Sequence, residues 1–270
     1  MKLSVSNIAW TNEEEPAVAQ LLKDMGVKYI EIAPTKKWKE PTGASNKQVS
    51  EYLAFWESFG IRVVAFQSML FSRPDLKIFE SKTNRDETLQ YLDDFISLAS
   101  KMGVENMVFG SPKNRQRGSL ANDAAFDIAK DFFTTLGAKA FKEKVQFCIE
   151  PNAPQYGCDF ITNAKEGIEI VAKVNSPGFG LHLDIACMTL ANDNISQSIK
   201  DAAGPLKHFH ISSPMLGAVG SFTDVQHESA AAALRSINYD GYVSIEMRPG
   251  DLGSNLERVR IAVEYAQSIY

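Results

Sequence analysis

Cysteine is scarce, with only Cys148, Cys158 and Cys187 in 270 residues. None forms a CxxC pair, which excludes a zinc ribbon. An odd count of thiols also does not build a closed disulfide frame, so a reducing compartment is expected. Blocks of positive charge are missing: the net charge is −5 and no Lys/Arg run occurs. Nucleic acid is therefore not expected as a partner, because phosphate neutralisation dominates such binding. Long apolar runs are missing too. No window approaches the roughly 18 apolar residues of a membrane span. The start, MKLSVSNIAW, lacks the apolar stretch of a signal peptide. The expectation is a cytoplasmic protein with no membrane partner. No Pro/Gly/Ser-rich linker and no low-complexity stretch divides the chain, so residues 1–270 read as one domain.

What the chain has is a recurring unit. LLKDMGVKYIEI (21–32), FWESFGIRVVAF (55–66) and LASKMGVENMVF (98–109) each run from a helix end through Gly26, Gly60 or Gly103 into a β-rich apolar segment. Glycine suits the left-handed position that terminates a helix. Continuing along the chain gives eight strand candidates: 2–6, 28–32, 62–67, 105–109, 145–150, 179–184, 207–211 and 242–246. Several are unbroken apolar runs, as expected of strands covered on both faces. Helical patterns separate them. Thr11 with Glu14, and Ser45 with Gln48, have capping-box spacing. The segment 84–103 carries Leu89, Leu92, Phe95, Ile96 and Leu98 on roughly one face, and 254–268 repeats this with Leu256, Val259, Ile261 and Val263. Hydrophobic residues make up 44% of the chain, enough for a large core. Eight alternating strands and helices predict an α/β fold, a single (β/α)8 TIM barrel. A doubly wound sheet is the alternative. It would normally place a glycine-rich phosphate loop after the first strand, where this chain has SNIAWTNEE.

Four polar residues close apolar strands on one end of such a barrel: Glu150 in VQFCIE, Asp184 in FGLHLD, His210 in LKHFH and Glu246 in YVSIE. Strand ends on that face surround one volume, and carboxylate oxygen with imidazole nitrogen suits a divalent cation. Mn²⁺ fits such donors well; Mg²⁺, Co²⁺ and Zn²⁺ are alternatives. Five further residues lie on the same face. Glu31 and Gln67 end strands two and three, and each either hydrogen-bonds a bound small molecule or serves the core. Trp10 forms a wall of the site or belongs to the core. Asn152 follows Glu150, and Arg248 follows Glu246, where it pairs with a site carboxylate or a surface one. The loop GSPKNRQRG (110–118) brings Lys113, Asn114, Arg115 and Arg117, which make either an anion site or a solvated loop. Gly217, Gly220, Gly250 and Gly253 offer backbone N–H groups for phosphate or are plain turn residues. His182 and His208 alternate in phase with Asp184 and His210, and are read as hydrogen-bonded core residues. His227 is read as a helix cap. Cys187 packs or faces substrate.

The segments FCIEPN, LHLDIACM, FHIS and GYVSIEM resemble the xylose isomerase-like TIM barrel superfamily of sugar and sugar-phosphate isomerases and epimerases. It includes D-tagatose 3-epimerase, hydroxypyruvate isomerase and inosose dehydratase. The resemblance covers essentially the whole chain. It implies one divalent metal ion on Glu150, Asp184, His210 and Glu246. It further implies that Glu150 and Glu246 move a proton through a metal-stabilised enediolate of a sugar or sugar phosphate, and that the protein is a homo-oligomer. The chain departs from the pattern twice. Relatives often carry histidine where Cys187 stands, and epimerases tend to carry arginine shortly after the strand-seven histidine, where HISSPMLGAVG has none. A dehydratase of cyclic polyols, using the same enolisation, and a non-catalytic sugar-binding relative with a degenerate site are the alternatives. A phosphodiester hydrolase with a trinuclear zinc site would need more than the four histidines present.

Overall fold

The computed structural model describes residues 1–220, 224–250 and 254–270. Eight parallel strands close into a barrel in chain order. They are β1 (Lys2–Ser6), β2 (Tyr29–Ile32), β3 (Arg62–Phe66), β4 (Asn106–Phe109), β5 (Gln146–Ile149), β6 (Phe179–Asp184), β7 (Leu206–Ser212) and β8 (Tyr242–Glu246). Among the described residues ten α-helices surround them: α1 (Glu15–Asp24), α2 (Pro34–Lys37), α3 (Asn46–Ser58), α4 (Lys82–Met102), α5 (Asn122–Lys142), α6 (Ala164–Val174), α7 (Ile185–Leu190), α8 (Ile195–Asp201), α9 (His227–Ser236) and α10 (Asn255–Ile269). The fold is the (β/α)8 barrel that the alternating pattern predicts.

Local chemistry explains the boundaries. Gly26, Gly60 and Gly103 adopt φ of +73°, +74° and +68°, where a Cβ would be strained. Ser45 and Gln48 complete the reciprocal capping box at the start of α3. Thr11 does not cap a helix. The helix α1 begins at Glu15, with Pro16 in the first turn where its missing N–H is harmless, and the Glu14 carboxylate instead accepts from the Thr11 N–H at 2.8 Å. In α10 the buried side is Val259, Ala262, Val263 and Ala266, while Ile261 is exposed. Residue 261 lies two positions from 259 and 263, off the stripe that a 3.6-residue period keeps together.

Between strands and helices the packing is apolar and aromatic. Phe133 on α5 stacks on Phe179 of β6 with ring centroids 4.9 Å apart, and Phe109 of β4 meets Phe133 at 5.8 Å. The barrel interior is different. Ser4, Ser6, Glu31, His182, His208, His210 and Ser244 are all fully buried. The Glu31 carboxylate on β2 accepts from His210 on β7, and these strands are not neighbours, so the bond crosses the lumen. Register aligns the polar set: Asp184 lies beside His210, His210 beside Ser244, and Ser212 beside Glu246. No described helix is long and apolar enough to cross a membrane.

Candidate metal and substrate site

The carboxyl ends of β5 to β8 bring their polar residues to one place. Glu150 is the residue after β5, and Asp184 and Glu246 end β6 and β8. His210 was expected to close β7, but that strand runs on to Ser212. Ligating atoms of Glu150, Asp184 and His210 lie within 4.8 Å of one another. Glu246 Oε2 is 3.3 Å from His210 Nδ1, and Asp184 Oδ2 is 3.9 Å from the same atom. All are buried except Glu246, whose side chain keeps 14% of its surface open. Glu150, Asp184 and Glu246 open on a cavity of about 550 Å³ at the carboxyl face of the barrel. That is the face on which barrels of this kind carry their sites.

Each side chain is held in place. Asp184 caps α7: its Oδ1 accepts from the Cys187 N–H at 2.6 Å, and its Oδ2 accepts from the Ser212 hydroxyl. Glu31 Oε2 accepts from His210 Nε2 at 2.9 Å and lies 3.4 Å from His208 Nε2. An ionised carboxylate only accepts, so His210 Nε2 carries a proton, while Nδ1 faces Asp184 and Glu246. Glu150 rests on Gly110, where a Cβ would stand 2.3 Å from its Oε2.

The electrostatics follow from this crowding. Burial, then the charges of Glu246 and Asp184, push the Glu150 carboxyl up to about 8. Asp184 is also raised, by burial and then by Glu246. For His210 burial favours the neutral ring, but the Glu31 and Glu246 carboxylates outweigh it and hold its pKa well above the usual range. Burial likewise opposes ionisation of Glu31, and His210 and His208 reverse it, so Glu31 titrates well below the ordinary range.

These residues fit a divalent cation. Among the described residues His210 Nδ1 is buried with no hydrogen-bond partner of acceptable geometry, and it lies between the Asp184 and Glu246 carboxylates. Three carboxylates buried in one place concentrate negative charge, which pushes the Glu150 and Asp184 carboxyls up and which a bound cation would balance. Oxygen and imidazole donors of this kind suit Mn²⁺, Zn²⁺ and similar ions.

The other sequence-singled residues divide in two. Gln67, Lys113, Asn152 and Cys187 line the cavity. Trp10, Glu31, Arg115 and Arg248 do not. Trp10 is fully buried against Trp56, with ring centroids 6.2 Å apart, so it serves the core and not a sugar wall. Glu31 sits beneath the site holding His210, out of reach of substrate. Arg115 is fully buried, with its guanidinium on Asn152 and backbone carbonyls, and is no anion donor to the cavity. Arg248 is exposed and forms no ion pair among the described residues. In the same loop, Asn114 donates to the carbonyls of Arg73 and Leu76, and Arg117 to those of Asp159 and Leu120, so both brace loops.

Gly217, Gly220 and Gly250 are not among the residues that line the cavity. Gly217 N–H bonds Pro214, Gly220 packs on the Tyr265 ring, and Gly250 N–H bonds Asn255; Gly253 lies outside the described residues. His182 is not the hydrogen-bonded core residue expected. Both its ring nitrogens lack partners among the described residues, its ring meets His210 edge-on at 4.1 Å, and burial pushes its pKa well down. His227 does not cap α9. It occupies the first helical position, and its Nδ1 meets the Tyr270 hydroxyl at 2.9 Å. Sequence reasoning missed Gly110, Tyr156 and Ser212, and the apolar rim of Leu70, Phe71 and Leu216. Ser212 alone had a signal, its two-residue spacing from His210 along the strand.

A closed parallel barrel with buried Glu, Asp and His candidates for a metal at its carboxyl face defines a class of metal-centre barrels. Residues 19–269 match the xylose isomerase-like TIM barrel family, and the chain belongs to it. It is 26% identical over 227 residues to the L-ribulose 3-epimerase of Methylomonas sp. (strain DH-1), covering 82% of this chain and 74% of that one. Among solved structures it resembles the D-psicose 3-epimerase with D-tagatose from Clostridium cellulolyticum H10, with a TM-score of 0.81 and 17% identity over 100% of this chain and 99% of that one. A protein named IOLI with a bound zinc atom matches with a TM-score of 0.74 and 19% identity over 100% of this chain and 96% of that one.

Proposed function

We propose that this protein is a divalent-metal-dependent sugar epimerase or isomerase that moves a proton at the carbon beside a carbonyl, with Glu150 and Glu246 as its acid/base pair. The observation that carries this reading is the convergence of both glutamates, with Asp184, on His210 Nδ1 at the floor of a cavity. The curated relative named above is a ketose 3-epimerase and a structural neighbour was solved with D-tagatose, which supports a ketose as substrate.

A divalent cation held by Glu150, Asp184, His210 and Glu246 would supply electrophilic stabilisation of negative charge on the substrate's oxygens. Mn²⁺ is the proposed ion, and the zinc bound in the IOLI structure supports a divalent metal in a barrel of this fold. The protein's own residues do the rest. Glu246, the more open of the two, and Glu150, the more buried, exchange a proton with the substrate carbon, one taking and the other returning it. A positioned acid/base group contributes about 10²–10⁴-fold. Gln67, Asn152 and Lys113 line the same cavity and orient hydroxyls. The apolar rim excludes water from the forming enediolate.

The test follows exchange of the substrate C–H for deuterium by NMR, using L-ribulose, D-tagatose and D-psicose with Mn²⁺ and after chelation. Exchange is expected with Mn²⁺ and absent from Glu150→Gln and Glu246→Gln, each folded by circular dichroism. Near-normal exchange in either variant removes that residue from the acid/base role. Exchange that survives chelation overturns the metal requirement.

A further inference from the structure

We propose that Arg115, Asn152 and Cys187 form a one-way chain of hydrogen-bond donors that ends on Glu150 Oε1 and aims that carboxylate. The three are positioning residues, and the inference rests on Glu150 being a metal-holding carboxylate.

The chain starts at a buried cation. Arg115 is fully buried, and its guanidinium bonds only neutral acceptors: Asn152 Oδ1 at 2.8 Å, Cys158 Sγ and the Ile161 carbonyl at 3.4 Å, and the Phe109 carbonyl at 3.5 Å. An unpaired buried charge is expensive, so this placement needs a reason. Guanidinium has donors and no acceptor, which leaves one orientation for the Asn152 amide. Its oxygen must face Arg115, and its NH₂ is turned toward the cavity. There Nδ2 donates to Cys187 Sγ at 3.6 Å. The thiol has accepted one bond and directs its single S–H to Glu150 Oε1, 3.9 Å away. Sulfur is a large atom and a weak partner, so both contacts are long. An arginine that cannot accept fixes the orientation of the Asn152 amide, and the Cys187 thiol carries the same direction on to Glu150 Oε1.

The arrangement pins both Glu150 oxygens. Oε1 meets the thiol, and Oε2 lies against the bare Cα of Gly110. Cys158 gives a contrast. It also accepts from Arg115, but its thiol donates to the Phe160 carbonyl at 3.2 Å, away from the cavity. Cys187 thus has a function that packing alone would not require: it is a small group able both to accept and to donate at the last step before the carboxylate.

The first readout is infrared, in the full-length protein freed of metal by chelation. The S–H stretching band of Cys187 is isolated as the difference between wild type and Cys187→Ser. Glu150→Ala should move it to higher frequency, and Asn152→Asp, which still accepts from Arg115 but no longer donates when ionised, should also shift it. The second readout is Mn²⁺ affinity by titration. Cys187→Ala should weaken binding on the order of tenfold, and Cys187→Ser, which restores a donor and acceptor, should recover most of that loss. Removal of Arg115 risks unfolding, so the Asn152 and Cys187 variants carry the test. A band indifferent to Glu150→Ala, or a Cys187→Ala protein binding Mn²⁺ like wild type, overturns the proposal. If wild type binds no Mn²⁺ at all, the metal reading fails separately, and the infrared band still decides whether the chain exists.

Discussion

Replacing Gly110 with alanine tests the geometry around Glu150 most directly. A Cβ at that position would lie 2.3 Å from Glu150 Oε2, and 3.3 Å from both Glu150 Cδ and Asn152 Oδ1. Ordinary contact begins at 3.4 Å, so the carboxylate must retreat by about 1 Å. It has little room to do so, because Cys187 Sγ stands 3.9 Å from the other oxygen. The Gly110 backbone is not among the left-handed glycines, so alanine brings no dihedral strain and the fold should survive. Overpacking of this kind costs about 1–3 kcal/mol, visible as a lower Tm. A displacement near 1 Å can cost on the order of 100-fold in turnover. Loss of Mn²⁺ affinity on the order of 10–100-fold should accompany it. The assays are a Mn²⁺ titration, a thermal melt and the deuterium exchange of the ketose C–H. Gly43→Ala is the control, since its Cβ would meet nothing closer than Glu40 Cβ at 3.9 Å. A Gly110→Ala protein that binds Mn²⁺ and exchanges deuterium like wild type would refute the reasoning that Glu150 is held there to act.

Three more perturbations have defined outcomes. Glu31→Gln leaves His210 without its anionic acceptor across the barrel; removing one partner of a buried pair costs about 3–5 kcal/mol, and Mn²⁺ affinity should fall about 10–100-fold, read by urea unfolding and titration. In the metal-free protein Glu150 has its pKa raised from 4.5 to about 8, so the folded state holds a proton that the unfolded chain loses; stability should therefore decline as pH rises through that window. Mn²⁺ affinity should rise by about tenfold per pH unit up to the same limit, because loading displaces that proton; a Tm and an affinity both flat from pH 5 to 8 would contradict this. Tyr270→Phe strands the buried His227 Nδ1 and should cost about 1–3 kcal/mol by urea unfolding, with the metal site untouched.

The barrel was legible because its signals are local and repeated. A glycine at φ near +70° after a helix, then an apolar run, is written three times in the first 110 residues, and the predicted strand ranges match the observed ones to within a residue or so. The strand-end acids were legible for the same reason, since residues at successive carboxyl ends of a barrel point to one volume. Side-chain destinations were not. Trp10, Glu31 and Arg115 sit near strand ends in sequence as Gln67 and Asn152 do, yet only the latter two reach the cavity. Whether a loop residue turns inward depends on partners far along the chain: Trp56 for Trp10, His210 for Glu31, and Asn152 with Ile161 for Arg115. Gly110 gave no warning, because its φ is ordinary and its importance is the carboxylate lying upon it.

The amino-acid order alone settled the number of strands, their parallel closure and the four residues at or beside the ends of β5 to β8. Hydrophobic period and turn chemistry act over a few residues and do not need the rest of the molecule. Tertiary structure decided the identity of the residue beneath the site, the direction in which Asn152 presents its amide, and the upward shift of the Glu150 carboxyl. Each of these depends on charges and donors brought together from strands distant in sequence, at separations of a few ångströms and away from water, where electrostatic interaction is strongest.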